Sequence, residues 1–276
     1  MSISVNTNSA AMAALRQLKS SSDELESIQS RMNTGRKING AKDNGAIYGM
    51  AQTLRTDISG LRVVTDSLDH AIAVADVAYS ASEAVSDLLL DMKEKALAAS
   101  DRSLDDRSRA ILNEEFETMR DQIGLIVDNA KFSEINLLDG STPSMSPITD
   151  VHGGQSIDVP GYDIKPGGAD TDITPTIVID PFAAAEDALT RIESTLDSQN
   201  AMMNVMGGRL NRMQTSRDLA VQTSDILTKN LGTLVDADLG KESARLQAAQ
   251  TKQQLRVQSQ SIANQLPTYA LRLFGQ

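Results

Sequence analysis

The residues that could do chemistry are few. Only two histidines occur, His70 and His152, and there is no cysteine. A zinc site takes three or four ligands, mostly from those two residue types. No His-x-x-x-His pair exists, so no metal centre is expected. His70 reads as a partly exposed packing residue. Adjacent carboxylates stand at Asp105-Asp106 and Glu114-Glu115. A general acid and base must face a common substrate, whereas sequence neighbours on a helix point roughly 100° apart. These pairs read as solvated surface. Asp236 and Asp238 lack the other oxygen ligands and the glycine of a calcium loop. Gly153-Gly154 does not follow a strand in the manner of a phosphate-cradling loop. Nothing here argues for catalysis, and neither enzyme activity nor a cofactor is expected.

Composition narrows the class. Rings make up 3% of 276 residues and tryptophan is absent. Large rings bury the most area per residue, so an alanine-, leucine- and methionine-rich core implies close-packed helices. A formal charge of -11 disfavours nucleic acid, which needs a basic footprint. The absence of cysteine excludes disulfides and fits either a cytosolic bacterial-type chain or a secreted one built without bridges. The opening MSISVNTNSAAMAALRQ lacks the basic start and apolar run of a cleaved leader. Any export is therefore expected to use another route. No apolar run approaches the roughly 20 residues that span a bilayer, so membrane insertion is not expected.

The elements are mostly helices. Leu239–Leu273 carries Leu239, Leu246, Leu255, Ile262, Leu266, Tyr269 and Leu273 as a thin stripe, with glutamine and serine opposite. At the other end, Ala11, Leu18, Leu25 and Met32 repeat every seven residues, with Leu15 and Ile28 beside them. Neither stripe can stabilise a helix alone. They are expected to pack on each other, in an antiparallel chain that goes out and comes back. Residues 4–34 read as helix, and Arg36–Met50 as an irregular segment punctuated by glycine. From Thr53 to Ala99 two heptad series run: Leu61, Leu68, Ala75, Ser82, Leu89, Ala96 and Val64, Ala71, Ala78, Val85, Met92, Ala99. They predict a bundle seam. Ser103 with Asp106 resembles a capping box before a second helix with Leu112, Phe116, Met119, Ile123 and Ile126, which ends near Asn129.

Residues 140–181 hold six of the seven prolines, and Ile173–Ile179 reads there as an edge strand. Asp180-Pro181 predicts a new helix, with aspartate as cap and proline first. That helix contains Gly207-Gly208, a place for another backbone to come close, and runs to about Leu234. The fold class is mainly α. It is a long antiparallel helical bundle or coiled coil formed by the N- and C-terminal halves, with a small β-rich central insert.

Two distant stretches resemble one family. Arg31–Ala46, RMNTGRKINGAKDNGA, is similar to the flagellin N-terminal signature R-L-S-S-G-x-R-I-N-S-A-x-D-D-A-A. Ile3-Ser4-Val5-Asn6-Thr7-Asn8 looks like that family's start. Asp236-Ala237-Asp238, Glu242-Ser243-Ala244, and Gln265-Leu266-Pro267 with Leu271 and Leu273 match its C-terminal pattern. The resemblance covers residues 1–140 and 182–276. It implies a subunit that many copies of itself polymerise into a bacterial flagellar filament, secreted and outside the cell. Export through the flagellar type III apparatus and contact with junction and cap proteins are implied too. Residues 1–46 and 236–276 would form the inner filament core. Residues 47–139 and 182–235 would form the rod, with 140–181 at the surface. Polymerisation is expected through the terminal helix seams: Leu15, Leu18, Leu25, Ile28 and Met32, with Leu246, Leu255, Ile262, Leu266, Tyr269 and Leu273.

There are departures. The family often carries N-x-x-F-N-G before L-L, whereas Ser133-Glu134 follows Asn129-Ala130-Lys131-Phe132 here. Some members are bound by an animal innate receptor through an arginine, a leucine and a glutamate. Asp91 and Lys95 stand at the first two positions and Glu115 at the third, so strong receptor binding is not expected. A hook–filament junction protein and a non-polymerising helical adaptor are the alternatives.

Overall fold

The computed structural model describes residues 7–274, with side chains through residue 265. Five helices dominate: α1 (Ser9–Thr34), α2 (Gly45–Ala99), α3 (Asp106–Asn129), α4 (Phe182–Val235) and α5 (Leu239–Phe274). Four two-residue strands lie between α3 and α4: β1 (Lys131–Phe132), β2 (Ile135–Asn136), β3 (Ser144–Met145) and β4 (Val159–Pro160). They pair antiparallel, β1 with β2 and β3 with β4. The chain divides into two compact units. One comprises Met1–Thr56 and Ile226–Gln276, the other Asp57–Asp225.

In the second unit the heptad reading holds. Val64, Ala71, Ala78, Val85, Met92 and Ala99 are each 2% exposed or less. Five of the six in the other series are buried, and Leu61 packs at the edge. Phe116, Ile123 and Val127 of α3 and Ile192, Met206, Leu210 and Met213 of α4 complete the core. Buried Ser82 bonds back to the Ala78 carbonyl at 2.8 Å, and Gln199 donates to the Ser82 carbonyl at 3.1 Å. These bonds satisfy two polar groups in an otherwise apolar seam. Gly207 faces the Tyr79 ring at ordinary contact distance and Gly208 faces nothing, so no second backbone approaches there. His70 is exposed, its ring edge-on to Phe132 with centroids 5.7 Å apart.

Several expected boundaries move, each because a side chain captures a main-chain group. α1 begins at Ser9 rather than residue 4: Asn8 Oδ1 accepts the Ala11 N–H at 2.9 Å and caps it. Gly35, at φ 66°, ends it in the left-handed region that glycine adopts freely. Asn44 accepts the Ile47 N–H at 3.1 Å, so α2 starts at Gly45 and takes in two glycines expected in a loop. Ser103 does not cap α3. Its N–H and hydroxyl both donate to Asp101 Oδ1 at 2.8 Å, and Asp105 caps instead, accepting from Ser108 N–H at 2.9 Å. α4 starts at Phe182, because the Pro181 carbonyl already accepts the Ala184 N–H at 2.8 Å. Proline is therefore the cap and not the first helical residue.

The insert is less β-rich than expected. Ile173, Ile177 and Ile179 are buried, but no strand forms through them. Pro175 offers no N–H. The flanking donors turn to helices: Asp172 N–H bonds Thr195 Oγ1 at 3.1 Å, and Ile179 N–H bonds Asn113 Oδ1 at 2.8 Å. Side chains of α3 and α4 thus replace the neighbouring strand. With Ile157, Val159 and Ile164, the insert's isoleucines join the helical core instead of making one of their own. Gly161 is required here. A Cβ on it would lie 1.8 Å from the Thr142 carbonyl oxygen.

Candidate assembly interface

The first unit pairs the two ends of the chain. α1 and α5 pack antiparallel: Asn8 Nδ2 donates to the Ala263 carbonyl at 2.8 Å at one end, and Arg31 faces Glu242 at the other. The α1 residues turned inward are Ala11, Ala14, Leu18, Ser21, Leu25, Ile28 and Met32. Opposite them are Glu242, Leu246, Ala249, Gln253, Arg256, Gln260 and Ala263. Both sets alternate steps of three and four, the spacing of a coiled-coil seam. The α1 side is mostly apolar and the α5 side mostly polar.

Polar contacts therefore fix the register. Gln253 Nε2 donates to Ser22 Oγ at 3.3 Å and Arg256 donates to the Gln17 carbonyl. Lys252 Nζ donates to Glu24 Oε2 at 2.9 Å, and that bond holds the Glu24 carboxyl below its usual range. Glu242 is nearly fully buried. Its Oε1 accepts from Arg245 at 2.6 Å and lies 4.0 Å from Arg31 Nη1. Ser21 Oγ, Gln260 Oε1 and Glu242 Oε2 are buried without a hydrogen-bond partner among the described residues. Each such atom costs free energy, so this seam is a shallow one.

The loop between α1 and α2 is stitched to the connection between α4 and α5. Lys37 N–H donates to the Val235 carbonyl at 2.8 Å, and Ala237 N–H donates to the Gly35 carbonyl at 2.8 Å. Lys37 Nζ reaches the Thr233 carbonyl at 2.8 Å. Asp43 folds the loop on itself: its Oδ2 accepts from Asn39 N–H at 2.9 Å and Gly40 N–H at 3.1 Å. Those bonds, and then the Arg31 charge, hold its carboxyl below the ordinary range. A cavity of about 490 Å³ beside Glu242 is lined by Arg31, Lys37, Lys241 and Arg245 against Asp43, Asp236, Asp238 and Glu242. Opposite charges balance there and select no charged ligand.

Of the residues proposed from sequence, Ile28 is buried, and Leu18, Leu25, Met32 and Leu246 are half-buried in the seam. Leu15, Leu255 and Ile262 are 55%, 61% and 64% exposed, on the outside of the pair. Leu239 also faces out. The expectation that both stripes meet inside one chain is corrected for these residues. The register places Arg256 and Ala263 toward α1, and a residue one step earlier points roughly 100° away. Leu266, Tyr269 and Leu273 lie outside the described side chains. The sequence reading missed Ser21, Glu242, Ala249, Gln253, Gln260 and Ala263, because a search for large apolar residues passes over small and polar ones. Their three-four spacing was the available signal.

Among the described residues, no cluster of three or more histidine, aspartate or glutamate side chains is placed to hold a metal ion, and no helix is long and apolar enough to cross a membrane. Two segments far apart in sequence, Arg31–Asn44 and Asp236–Glu242, are thus brought together by main-chain and ionic contacts.

Those segments are where the sequence resemblance lay, and comparison with known proteins bears on it directly. Residues 5–142 match the family described as the bacterial flagellin N-terminal helical region. The chain is 40% identical over 271 residues to flagellin FljM of Caulobacter vibrioides, covering 98% of each. It is 31% identical over 280 residues to a flagellin of Brucella melitensis, covering 98% of this chain and 99% of that one. The crystal structure of Bacillus cereus flagellin, 19% identical, superposes with a TM-score of 0.51 over 56% of this chain and 88% of that one. That likeness concerns the fold alone. Both relatives align with 98% of the chain, and the chain belongs to the flagellin family.

Proposed function

We propose that this flagellin is a structural subunit that polymerises into a bacterial flagellar filament and so serves swimming motility. One observation carries the reading beyond family membership. The helices from the two chain ends pair through a seam with unpartnered polar atoms, while Met12, Leu15, Leu255 and Ile262 stay outside, each more than half exposed. Aliphatic surface left out of a weak seam favours association with further copies. Contacts that repeat without closing give an open helical polymer.

In this reading residues 1–46 and 236–276 form the inner core of the filament, 47–139 and 182–235 its rod, and 140–181 the outer surface. The terminal seams named from sequence carry polymerisation. Export as an unfolded chain by the flagellar type III apparatus, contact with junction and cap proteins, and an extracellular location belong to the same proposal. Binding by the innate receptor is weak in this reading. Asp91 and Lys95 stand in place of the arginine and leucine, and the retained Glu115 is paired with Lys95 at 2.6 Å.

The test is seeded growth. Purified chain added to filament fragments is expected to elongate them, as seen by electron microscopy. Leu18→Asp and Leu266→Asp are expected to abolish growth with the helices of the second unit still folded by circular dichroism. Normal filaments from both variants would sink the proposal. A hook–filament junction protein would stop at short collars. That alternative draws on a fold likeness: a chain from Vibrio parahaemolyticus, provisionally described as a flagellar hook-associated protein, superposes with a TM-score of 0.58 at 17% identity. The adaptor alternative would stay discrete at high concentration by light scattering.

A further inference from the structure

The loop that joins α1 to α2 holds both of the chain's Asn-Gly steps, Asn39-Gly40 and Asn44-Gly45. An asparagine in that setting can react with its own backbone. The main-chain nitrogen of the next residue attacks Cγ, and glycine has no Cβ to block the approach and turns into it most freely. Both asparagines are exposed, but their surroundings differ. At the first step the attacking nitrogen is occupied. Gly40 N–H donates to Asp43 Oδ2 at 3.1 Å, and Asn39 N–H donates to the same oxygen at 2.9 Å. That carboxylate pins the backbone. It also opposes loss of the amide proton, which would set two negative charges side by side. At the second step the nitrogen is free. Gly45 is the first residue of α2, where the helix offers no acceptor, and its N–H has no partner among the described residues. Asn44 Oδ1 accepts the Ile47 N–H at 3.1 Å, which supports the charge that oxygen gains on attack. The positive end of α2 favours that charge further.

We propose that Asn44 is a self-modification site, which converts to aspartate and isoaspartate in the folded chain while Asp43 protects Asn39. The Gly45 nitrogen bonds to Asn44 Cγ, its proton leaves with the Nδ2 amide as ammonia, and a five-membered succinimide closes. Water then opens the ring. Attack at Cγ breaks the new bond and leaves aspartate. Attack at the main-chain carbonyl breaks the original peptide bond and routes the chain through Cβ as isoaspartate. Water enters, ammonia leaves, and no oxidant or reductant takes part. Either product adds one negative charge to a chain already at -11. Their mechanical effects differ. Aspartate caps a helix as well as asparagine does, and its charge suits the N-terminus of α2. Isoaspartate lengthens the main chain by one atom and takes away the capping side chain, next to the turn that Asp43 holds. This chemistry does not depend on the filament reading.

The full chain is incubated at mildly alkaline pH, folded or in urea, and mapped by peptide mass spectrometry. Lys42 lies between the two steps, so trypsin puts each asparagine on its own peptide. In the folded chain Asn44 is expected to lose its amide about tenfold faster than Asn39, the factor expected from one hydrogen bond to a charged group on the attacking nitrogen. In urea the two are expected to react at similar rates. Equal rates in the folded chain, or Asn39 first, would overturn the proposal. So would an Asn44 that reacts only in urea, since the cap would then be protective. The same preference in urea as in buffer would assign the choice to local sequence and also count against it. Two variants separate the causes. A Cβ on Gly45 meets nothing within 4 Å, so Gly45→Ala is expected to keep its helicity and slow the loss at Asn44. Asp43→Ala frees the Gly40 N–H and is expected to bring Asn39 up toward the rate of Asn44. An Asn39 rate unchanged in Asp43→Ala would refute the protective role of that carboxylate.

Discussion

Arg31 Nη1 stands 4.0 Å from Glu242 Oε1, so the last turn of α1 faces the first turn of α5 across an ion pair in which the arginine is half-open and the glutamate buried. The other carboxylate oxygen has no hydrogen-bond partner among the described residues. A buried charge left partly unsatisfied offsets much of what its partners contribute. Glu242→Met is therefore expected to leave the stability of the first unit within about 1 kcal/mol of the parent. Glu242→Ala, which adds a hole, is expected to cost about 2 kcal/mol. Amide exchange in α1 and α5 measures both. A larger loss for methionine than for alanine would contradict the argument.

Ser133 and Glu134 link β1 to β2 with φ of 49° and 65°. A two-residue hairpin turn with both central residues left-handed prefers Asn-Gly, and other residues are strained there. Ser133→Asn with Glu134→Gly is expected to stabilise the second unit by about 1 kcal/mol. Thermal unfolding checks it; an unchanged or lower midpoint counts against it.

Arg109 is buried and donates from Nε to the Ala99 carbonyl at 3.0 Å and from Nη2 to the Asp101 and Leu104 carbonyls at 3.0 and 3.3 Å. It thus satisfies the last carbonyl of α2, which the helix itself leaves free, and ties two carbonyls of the α2–α3 connection to it. Arg109→Met is expected to cost about 2–3 kcal/mol. Lysine, with one nitrogen in place of a planar fork, should recover less than half. Denaturant midpoints of the three chains decide.

Asp43 has its carboxyl lowered by the N–H groups of Asn39 and Gly40 and by Arg31. A lowered acid binds its proton less tightly when folded than when unfolded. Its contribution to the loop is therefore whole above about pH 4, the unfolded value, and is lost as pH falls through the lowered folded value. Exchange at residues 37–44 should rise over that acid window. In Asp43→Asn it should be raised already at neutral pH and change little with acid.

Phe116 and Leu125 stand on the same helix with opposite fates: the ring is fully buried and the leucine 62% exposed. Phe116→Ala is expected to cost about 3–5 kcal/mol. Leu125→Ala should lie within about 0.5 kcal/mol in the free chain. Chemical denaturation separates them. Similar losses would mean that the core is placed wrongly.

Much of the second unit was legible in the sequence. Val64 through Ala99 mark the seam by heptad spacing alone, because α2 is long and the partners of its apolar face lie in its own chain. The caps were less legible. Ser103 and Asp105 are equally plausible on chemistry, and only the turn built around Asp101 removes the serine from contention. The isoleucines at 173, 177 and 179 have a strand's alternation, but the groups that bond their neighbours belong to Asn113 and Thr195. Local spacing carries no trace of either.

Sequence by itself determined that both ends of the chain are helices with narrow apolar stripes, and that the stripes of the long middle helices form a core. Which side of α5 meets α1 was a tertiary decision. A helix offers every face at once, and the face used depends on what the partner presents. Gln253, Arg256 and Gln260 turn inward, with Gln253 bonding Ser22 and Arg256 the Gln17 carbonyl, and Leu255 and Ile262 are left outside. A rule that sends the largest apolar residues inward assumes that the inside belongs to a single chain.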